Sequence, residues 1–197
     1  MIIENLLFSY GAEIKKYKTN EIIFREEELP YYYFQILKGK IKLNNYNEGG
    51  KEFIQNIFSD GNSFGEALLF IDRPYPMNAI AITESKIIRL PKADFLTLIK
   101  ENPKVSMNIH HCLADRMYYK YIMLYNLSFQ NPIDKLKLLM EYLKSYHDDK
   151  CPYSFQIPMT RQQLASLTGL CVETVIRTIK AMEKENMLKI INRKIFY

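Results

Sequence analysis

Glu173 and Arg177 lie four residues apart in a stretch, 172–184, that contains neither glycine nor proline. At that spacing a carboxylate and a guanidinium share one helix face, one turn apart. As an ordinary exposed ion pair they would be worth only about 0.2–0.5 kcal/mol. Presented to a DNA major groove they do more: arginine donates two hydrogen bonds to guanine O6 and N7, glutamate accepts one from cytosine N4, and Val172 beside them meets a thymine methyl. The surrounding residues decide between the two uses.

On the same predicted helix Val175, Ile179 and Met182 form an apolar stripe, and Val172, Glu173, Arg177 and Lys180 lie opposite it. Upstream, Thr160-Arg161-Gln162-Gln163 has the form of a capping box, threonine at the N-cap and glutamine three residues on. Leu164, Ala165 and Leu167 supply an apolar face, and Gly169 stands where a left-handed C-cap ends a helix of about two turns. The unit reads as helix, tight turn, helix, an arrangement whose second helix enters the major groove while the first crosses the phosphates. Residues 188–197 read as strand, tight turn at Asn192-Arg193, strand, so that Arg193 and Lys194 are placed to touch phosphate as a wing. Residues 160–197 carry seven basic against three acidic side chains, nearly the whole surplus of a chain whose formal charge is +5. A polyanion-binding end is therefore joined to a near-neutral body.

The body is built to fold. With 197 residues, 48% hydrophobic and 13% aromatic, the chain suits one large or two small domains and excludes general disorder. No apolar run approaches the roughly 20 residues needed to cross a bilayer, and residues 1–10 lack a leader pattern, so a cytoplasmic location is expected. The three cysteines, Cys112, Cys151 and Cys171, are widely spaced and suggest neither a disulfide framework nor a zinc site; reduced thiols and no metal are expected. Strand-sized runs at 22–24, 31–37, 40–43, 51–58, 79–83 and 86–90 are separated by turn residues and indicate a sandwich or barrel. Pro91 precedes a short helix over 93–100, and Pro103 opens a long one over 104–127. Ile109, Leu113, Met117, Tyr121 and Leu124 form one apolar line on it, with further apolar residues on other sides. Two buried faces are expected, one on the β domain and one on a second copy of the same helix. A helix over 133–146 and a β-type run over 153–158 lead to the helix pair.

Three stretches carry a family resemblance: Thr160-Arg161-Gln162-Gln163-Leu164-Ala165 with Gly169; Val172-Glu173-Thr174-Val175-Ile176-Arg177; and Gly61-Asn62-Ser63-Phe64-Gly65-Glu66 with Ala67-Leu68-Leu69-Phe70. Over essentially its whole length the sequence resembles the Crp/Fnr family of bacterial transcription regulators. The resemblance implies an α+β chain: an N-terminal double-stranded β-helix, or β-roll, of the cyclic-nucleotide-binding type over 1–102, a dimerisation helix over 103–130, and a winged helix-turn-helix over 131–197. It also implies that Val172, Glu173 and Arg177 read a TGA-like core, with Thr160, Arg161, Thr174, Lys180, Arg193 and Lys194 supporting or touching the backbone. The expected partners are palindromic double-stranded DNA, a second copy of the chain, RNA polymerase if the protein activates, and a small effector; no enzyme activity, resident cofactor or membrane contact is expected.

The resemblance places the effector pocket at Phe64, Gly65, Glu66, Ala67, Pro76 and Met77. Members that bind cyclic nucleotide carry an arginine and a small residue ten positions after the Gly-Glu pair. Here those positions are Pro76 and Met77, so the phosphate loses its charge-assisted anchor. Arg73 lies three residues too early, and Glu26 replaces the glycine of the family's first turn. An unidentified effector is expected, with cyclic nucleotide or thiol oxidation as alternatives. Cys171 lies at the start of the groove-facing helix, where a thiol pKa can fall. No cysteine precedes Cys112, which excludes the family's N-terminal iron–sulfur cluster, and His110-His111 point about 100° apart on a helix, which makes a shared ion awkward. A cupin-like enzyme would need histidine ligands in the strands, and His110, His111 and His147 all lie beyond them. A sensor that binds a protein partner instead of DNA would leave the face from Val172 to Arg177 without a purpose.

Overall fold

The computed structural model describes residues 2–71 and 73–197, which fall into two compact units, 1–117 and 118–197. The boundary lies inside one long helix. The first unit starts with a short helix α1 (Glu4–Ser9), then eight strands: β1 (Glu13–Tyr17), β2 (Ile22–Phe24), β3 (Tyr32–Lys38), β4 (Ile41–Tyr46), β5 (Glu52–Phe58), β6 (Ser63–Phe64), β7 (Asn78–Ala81) and β8 (Ser85–Pro91). A 3-10 turn over Glu66–Phe70 separates β6 from β7. Two four-stranded antiparallel sheets result, with orders β1-β8-β3-β6 and β2-β7-β4-β5.

Alternation along the strands sends one set of side chains between the sheets. Phe24, Phe34, Phe58, Phe64, Tyr75 and Met77 meet there with Ile36, Ile41 and Ile87 in one buried cluster. Phe24 and Tyr75 stack at 3.7 Å between centroids, and Phe34 stacks on Phe64 at 5.3 Å. The other face of the first sheet is covered within the unit. Tyr33, Ile88 and Leu90 pack there against Leu7, Phe95, Leu98 and Ile109, the last three from α2 (Lys92–Glu101) and α3 (Pro103–Ser128).

The sequence reading anticipates six of the eight strands. It misses β1, whose residues are exposed except for Tyr17. An edge strand carrying Lys15 and Lys16 shows no apolar alternation, because charge on an edge serves to discourage further pairing. It also misses α1, six residues without a side-chain N-cap, and the two-residue β6.

In the second unit, α4 (Pro132–Ser145) is capped by Asn131, whose side chain accepts from the Ile133 amide at 3.0 Å. Helices α5 (Arg161–Thr168) and α6 (Val172–Lys184) and the hairpin β9 (Lys189–Ile191) and β10 (Lys194–Phe196) follow. Leu136, Leu139, Met140, Leu164, Leu167, Val175, Ile179 and Met182 are all at most 1% exposed and form this unit's core. The expected strand over 153–158 is reduced to one bridge, Gln156 to Phe196. Tyr153 adopts φ 63°, which interrupts extended backbone at its start.

Helix α3 corrects the expected line of interface residues. Ile109 is 3% exposed and packs in the first unit's own core, with Leu113 partly buried against the same cluster. Met117, Tyr121 and Leu124 are 56%, 62% and 69% exposed. The three steps of four residues from Ile109 to Tyr121 each advance about 40° beyond a full turn, so the line drifts from the buried side of the helix to the open side. The buried side is Ile109, Cys112, Leu113 and Arg116, continued by Tyr119, Met123 and Asn126. Met107, Met117, Tyr118, Tyr121, Leu124 and Tyr125 remain exposed.

Candidate nucleic-acid interface and effector pocket

The helix pair is fixed by the interactions expected of it. The Thr160 hydroxyl accepts from the Gln163 amide at 3.1 Å, and the Gln163 side chain accepts from the Thr160 amide at 2.9 Å. Gly169 ends α5 at φ 73°, a left-handed conformation that glycine adopts without strain. The backbone turns at once into α6, with Cys171 as N-cap residue and no side-chain cap bond. Val175, Thr178, Ile179 and Met182 are buried, which fixes the rotation of α6 about its axis.

On the opposite face Glu173, Arg177 and Lys180 are exposed, and Val172 and Thr174 are half-buried. Neither Glu173 nor Arg177 forms an ion pair among the described residues, so the ordinary helix pair weighed from the sequence is not made. Ile176, 38% exposed, lies between them on the same side. Sequence reasoning missed it. An apolar residue off the buried stripe, next to charged neighbours, was the available sign.

The wing turns on Asn192 and Arg193, with φ 49° and 64°, the pair of positive values that a two-residue type I′ hairpin requires. The Arg161 guanidinium donates to the Arg193 carbonyl at 2.9 Å, tying the start of α5 to the wing tip. The Glu183 side chain accepts from the Ile190 amide at 2.9 Å, tying α6 to β9. Arg193 and Lys194 are exposed. The unit thus presents cations at the α5 start, on α6 and at the wing tip, all linked to one rigid core.

These features agree with two family descriptions. The family of cyclic nucleotide-binding domains matches residues 14–102, and the family of Crp-like helix-turn-helix domains matches residues 136–196. The chain belongs to the Crp/Fnr family of DNA-binding transcription regulators. Among curated relatives, the cAMP-activated global transcriptional regulator CRP of Haemophilus influenzae is 28% identical over 92% of this chain and 82% of that protein. The cyclic AMP receptor protein of Thermus thermophilus is 28% identical over 94% of this chain and 83% of its own. Among solved structures, the c-di-GMP responsive global regulator CLP of Xanthomonas campestris covers 96% of this chain and 95% of its own with a TM-score of 0.77 at 18% identity. The structure of a CooA mutant from Carboxydothermus hydrogenoformans covers all of this chain and 87% of its own with a TM-score of 0.80 at 17% identity. At these identities the two structures speak to the fold alone.

In this Crp/Fnr regulator the residues implied for the effector pocket divide, Phe64 and Met77 lying in one buried cluster. Phe64, Gly65, Glu66 and Met77 are buried, whereas Ala67 and Pro76 are exposed. The Pro76 carbonyl accepts from the Asn45 amide nitrogen at 2.8 Å on the outside of the roll. Met77 and Tyr75 point into the aromatic core and occupy it. Gly65, at φ 74°, lets the backbone run close to them, since a Cβ there would meet the rings of Phe24 and Tyr75 at 3.2 Å. The left-handed residue of the first turn is Glu27, at φ 68°, one position after Glu26. Arg73 is exposed and anchors nothing in the interior.

Glu66 is fully buried, and its partner is Arg116 of α3, which the sequence reading overlooked. The guanidinium pairs with Glu66 Oε1, donates to the Ser63 hydroxyl at 3.2 Å and lies 5.0 Å over the Phe58 ring. Arg116 falls seven residues after Ile109 on the buried side of α3, so its spacing was the sign that could have found it. Glu66 Oε2 and the Tyr75 hydroxyl are buried without a hydrogen-bond partner among the described residues. Burial and the nearby Glu66 charge both push the Tyr75 phenol upward. Cys112 lies one turn before Arg116, its Sγ 3.8 Å from Glu66 Oε1. Cys171 is exposed, as are His110 and His111. Among the described residues no group of three or more His, Cys, Asp or Glu side chains is placed to hold a metal ion, and no helix is long and apolar enough to cross a membrane.

Proposed function

We propose that the protein is a homodimeric, cytoplasmic regulator that acts without catalysis and reads a palindromic operator through Val172, Glu173 and Arg177. Glu173 and Arg177 stand exposed and uncommitted on the face of α6 opposite its buried stripe, and that observation carries the reading. Arg177 pairs with guanine, Glu173 with cytosine, and Val172, with Ile176 beside it, meets thymine methyls. Thr160, Arg161, Thr174, Lys180, Arg193 and Lys194 position this face on the phosphates. Arg161 does so partly through the wing, to which it is bonded.

The second copy docks on the open side of α3, where six large apolar residues between Met107 and Tyr125 are exposed. Two-fold symmetry then sets the recognition helices about one DNA turn apart. An activating role would bring RNA polymerase as a further partner.

The controlling effector is a small molecule other than cyclic nucleotide. Curated relatives are named for cyclic AMP, but here Pro76 and Met77 stand where the phosphate's arginine and small residue would be. One of these faces solvent and the other fills the core. A cyclic phosphate entering that place would displace Met77 and Tyr75, and the guanidinium of Arg116 is already paired with Glu66. The test is binding-site selection from random duplexes with the full-length protein at stated salt. A two-fold symmetric consensus with half-sites about 10 bp apart is expected; an asymmetric or featureless output overturns the reading.

A further inference from the structure

Lys16 on β1 stands directly opposite Lys86 on β8, and Lys86 directly opposite Lys38 on β3. Adjacent strands are about 4.8 Å apart, so three lysines form a row across three strands. Like charges directly opposite one another destabilise a sheet. All three side chains are exposed, and none forms an ion pair among the described residues. With Lys18 they line a concavity of about 430 Å³ whose remaining charged residues are Glu21 and Glu84. The Glu21 carboxylate is held by the Lys18 amide at 2.8 Å.

The row is rigid. Gly39, next to Lys38, has φ 117°, and a Cβ there would come within 2.1 Å of the Ser85 hydroxyl, so the β3–β4 turn is pressed against β8. The Gly39 amide donates to Asp60 at 2.6 Å. Lys38 thus pairs with Lys86 just after a bulge between Ile36 and Lys38, with Gly39 holding the following turn against β8.

We propose that this row is a binding site for a compact anion made of linked phosphates, inorganic or carried on a nucleoside, lying wholly within the first unit. Lysine ammonium groups serve as point-charge partners for phosphate oxygens. A volume of about 430 Å³ falls in the range of small-molecule sites, about 300–1,000 Å³. Glu21 and Glu84 favour a ligand that ends inside the concavity, because a polyanion running past it would meet their carboxylates. Binding removes the like-charge penalty and so stabilises the first unit.

The test is calorimetric titration of the full-length protein with inorganic triphosphate and, separately, with adenosine 5′-triphosphate. Saturable binding of one anion per chain is expected, weakened at least tenfold in K16Q/K38Q/K86Q, which retains operator binding and melts no lower than the parent without anion. Tighter binding of the nucleotide assigns the nucleoside-borne form; equal binding assigns the phosphate chain alone. Where the triple variant fails to fold, K86Q alone, at the centre of the row, must weaken binding several-fold. No saturable binding, binding unchanged in these variants, or binding abolished by R177A overturns the proposal. Displacement of triphosphate by polyglutamate or by unrelated duplex DNA at lower concentration overturns the choice of a compact ligand.

Discussion

Arg116 reaches from the long helix into the roll and closes an ion pair on Glu66, a carboxylate with no exposure to solvent. The protein thereby supplies, from its own α3, the cation that the Gly65-Glu66 segment faces. Ser63 and the Phe58 ring complete the guanidinium's surroundings, so α3 is pinned to the roll by a charged contact as well as by Ile109 and Leu113.

Arg116→Ala is expected to destabilise the protein by about 3 kcal/mol, the lower end for breaking a buried pair, because the Arg116 side chain keeps 20% of its surface exposed. Replacing both partners, E66L with R116M, should recover most of the loss. Urea unfolding of the two variants checks this; a single-variant loss below about 0.5 kcal/mol would show that the pair does not hold α3.

Cyclic AMP is expected to give no saturable heat in a titration of the full-length protein and no change in operator affinity. The reason is physical occupancy. Tyr75 and Met77 are 1% and 6% exposed and already fill the interior. Saturable micromolar binding would show that these side chains move aside.

Thr160→Ala removes the hydroxyl that accepts from the Gln163 amide, leaves the backbone bond from residue 160 to the Gln163 side chain, and should cost about 1 kcal/mol. Because the start of α5 is also bonded to the wing at Arg193, operator affinity should fall with it, while Thr160→Ser, which keeps the hydroxyl, should behave as the parent. Denaturation and fluorescence anisotropy together read both effects.

Tyr121→Glu with Leu124→Glu places two carboxylates on the exposed side of α3, where the parent residues are 62% and 69% exposed. The variant should remain folded and sediment as a monomer. Ile109→Glu should instead unfold the first unit, since Ile109 is part of its core. A double variant that still sediments as a dimer would place the interface elsewhere.

Much of this was legible in the sequence where residue type and local geometry agree. Thr160 and Gln163 can cap only a helix start, Gly169 suits a left-handed stop, and Asn192-Arg193 between β-formers makes a two-residue turn. The roll's strands were readable from turn residues such as Gly39 and Gly61. Long-range pairing was not. Nothing local to Arg116 says that it meets Glu66, and nothing local to Lys16, Lys38 and Lys86 says that strand register aligns them. Of the line expected on α3, Ile109 and Leu113 turn into the first unit's core while Met117, Tyr121 and Leu124 stay exposed, because steps of four residues wind around the helix. Ala67 and Pro76 are exposed, which the motif did not foretell because position in a motif does not fix which way a side chain faces.

The central claim, that α6 reads bases through Arg177, is tested most directly by measuring Arg177→Ala and Lys194→Ala against the selected operator and against its single-base variants at fixed salt. Arg177→Ala should lose about 1–3 kcal/mol and relax preference at one base pair in each half-site, whereas Lys194→Ala should weaken all sequences alike and lower the salt slope by about 1. Uniform weakening by Arg177→Ala, with base preference intact, would contradict the account.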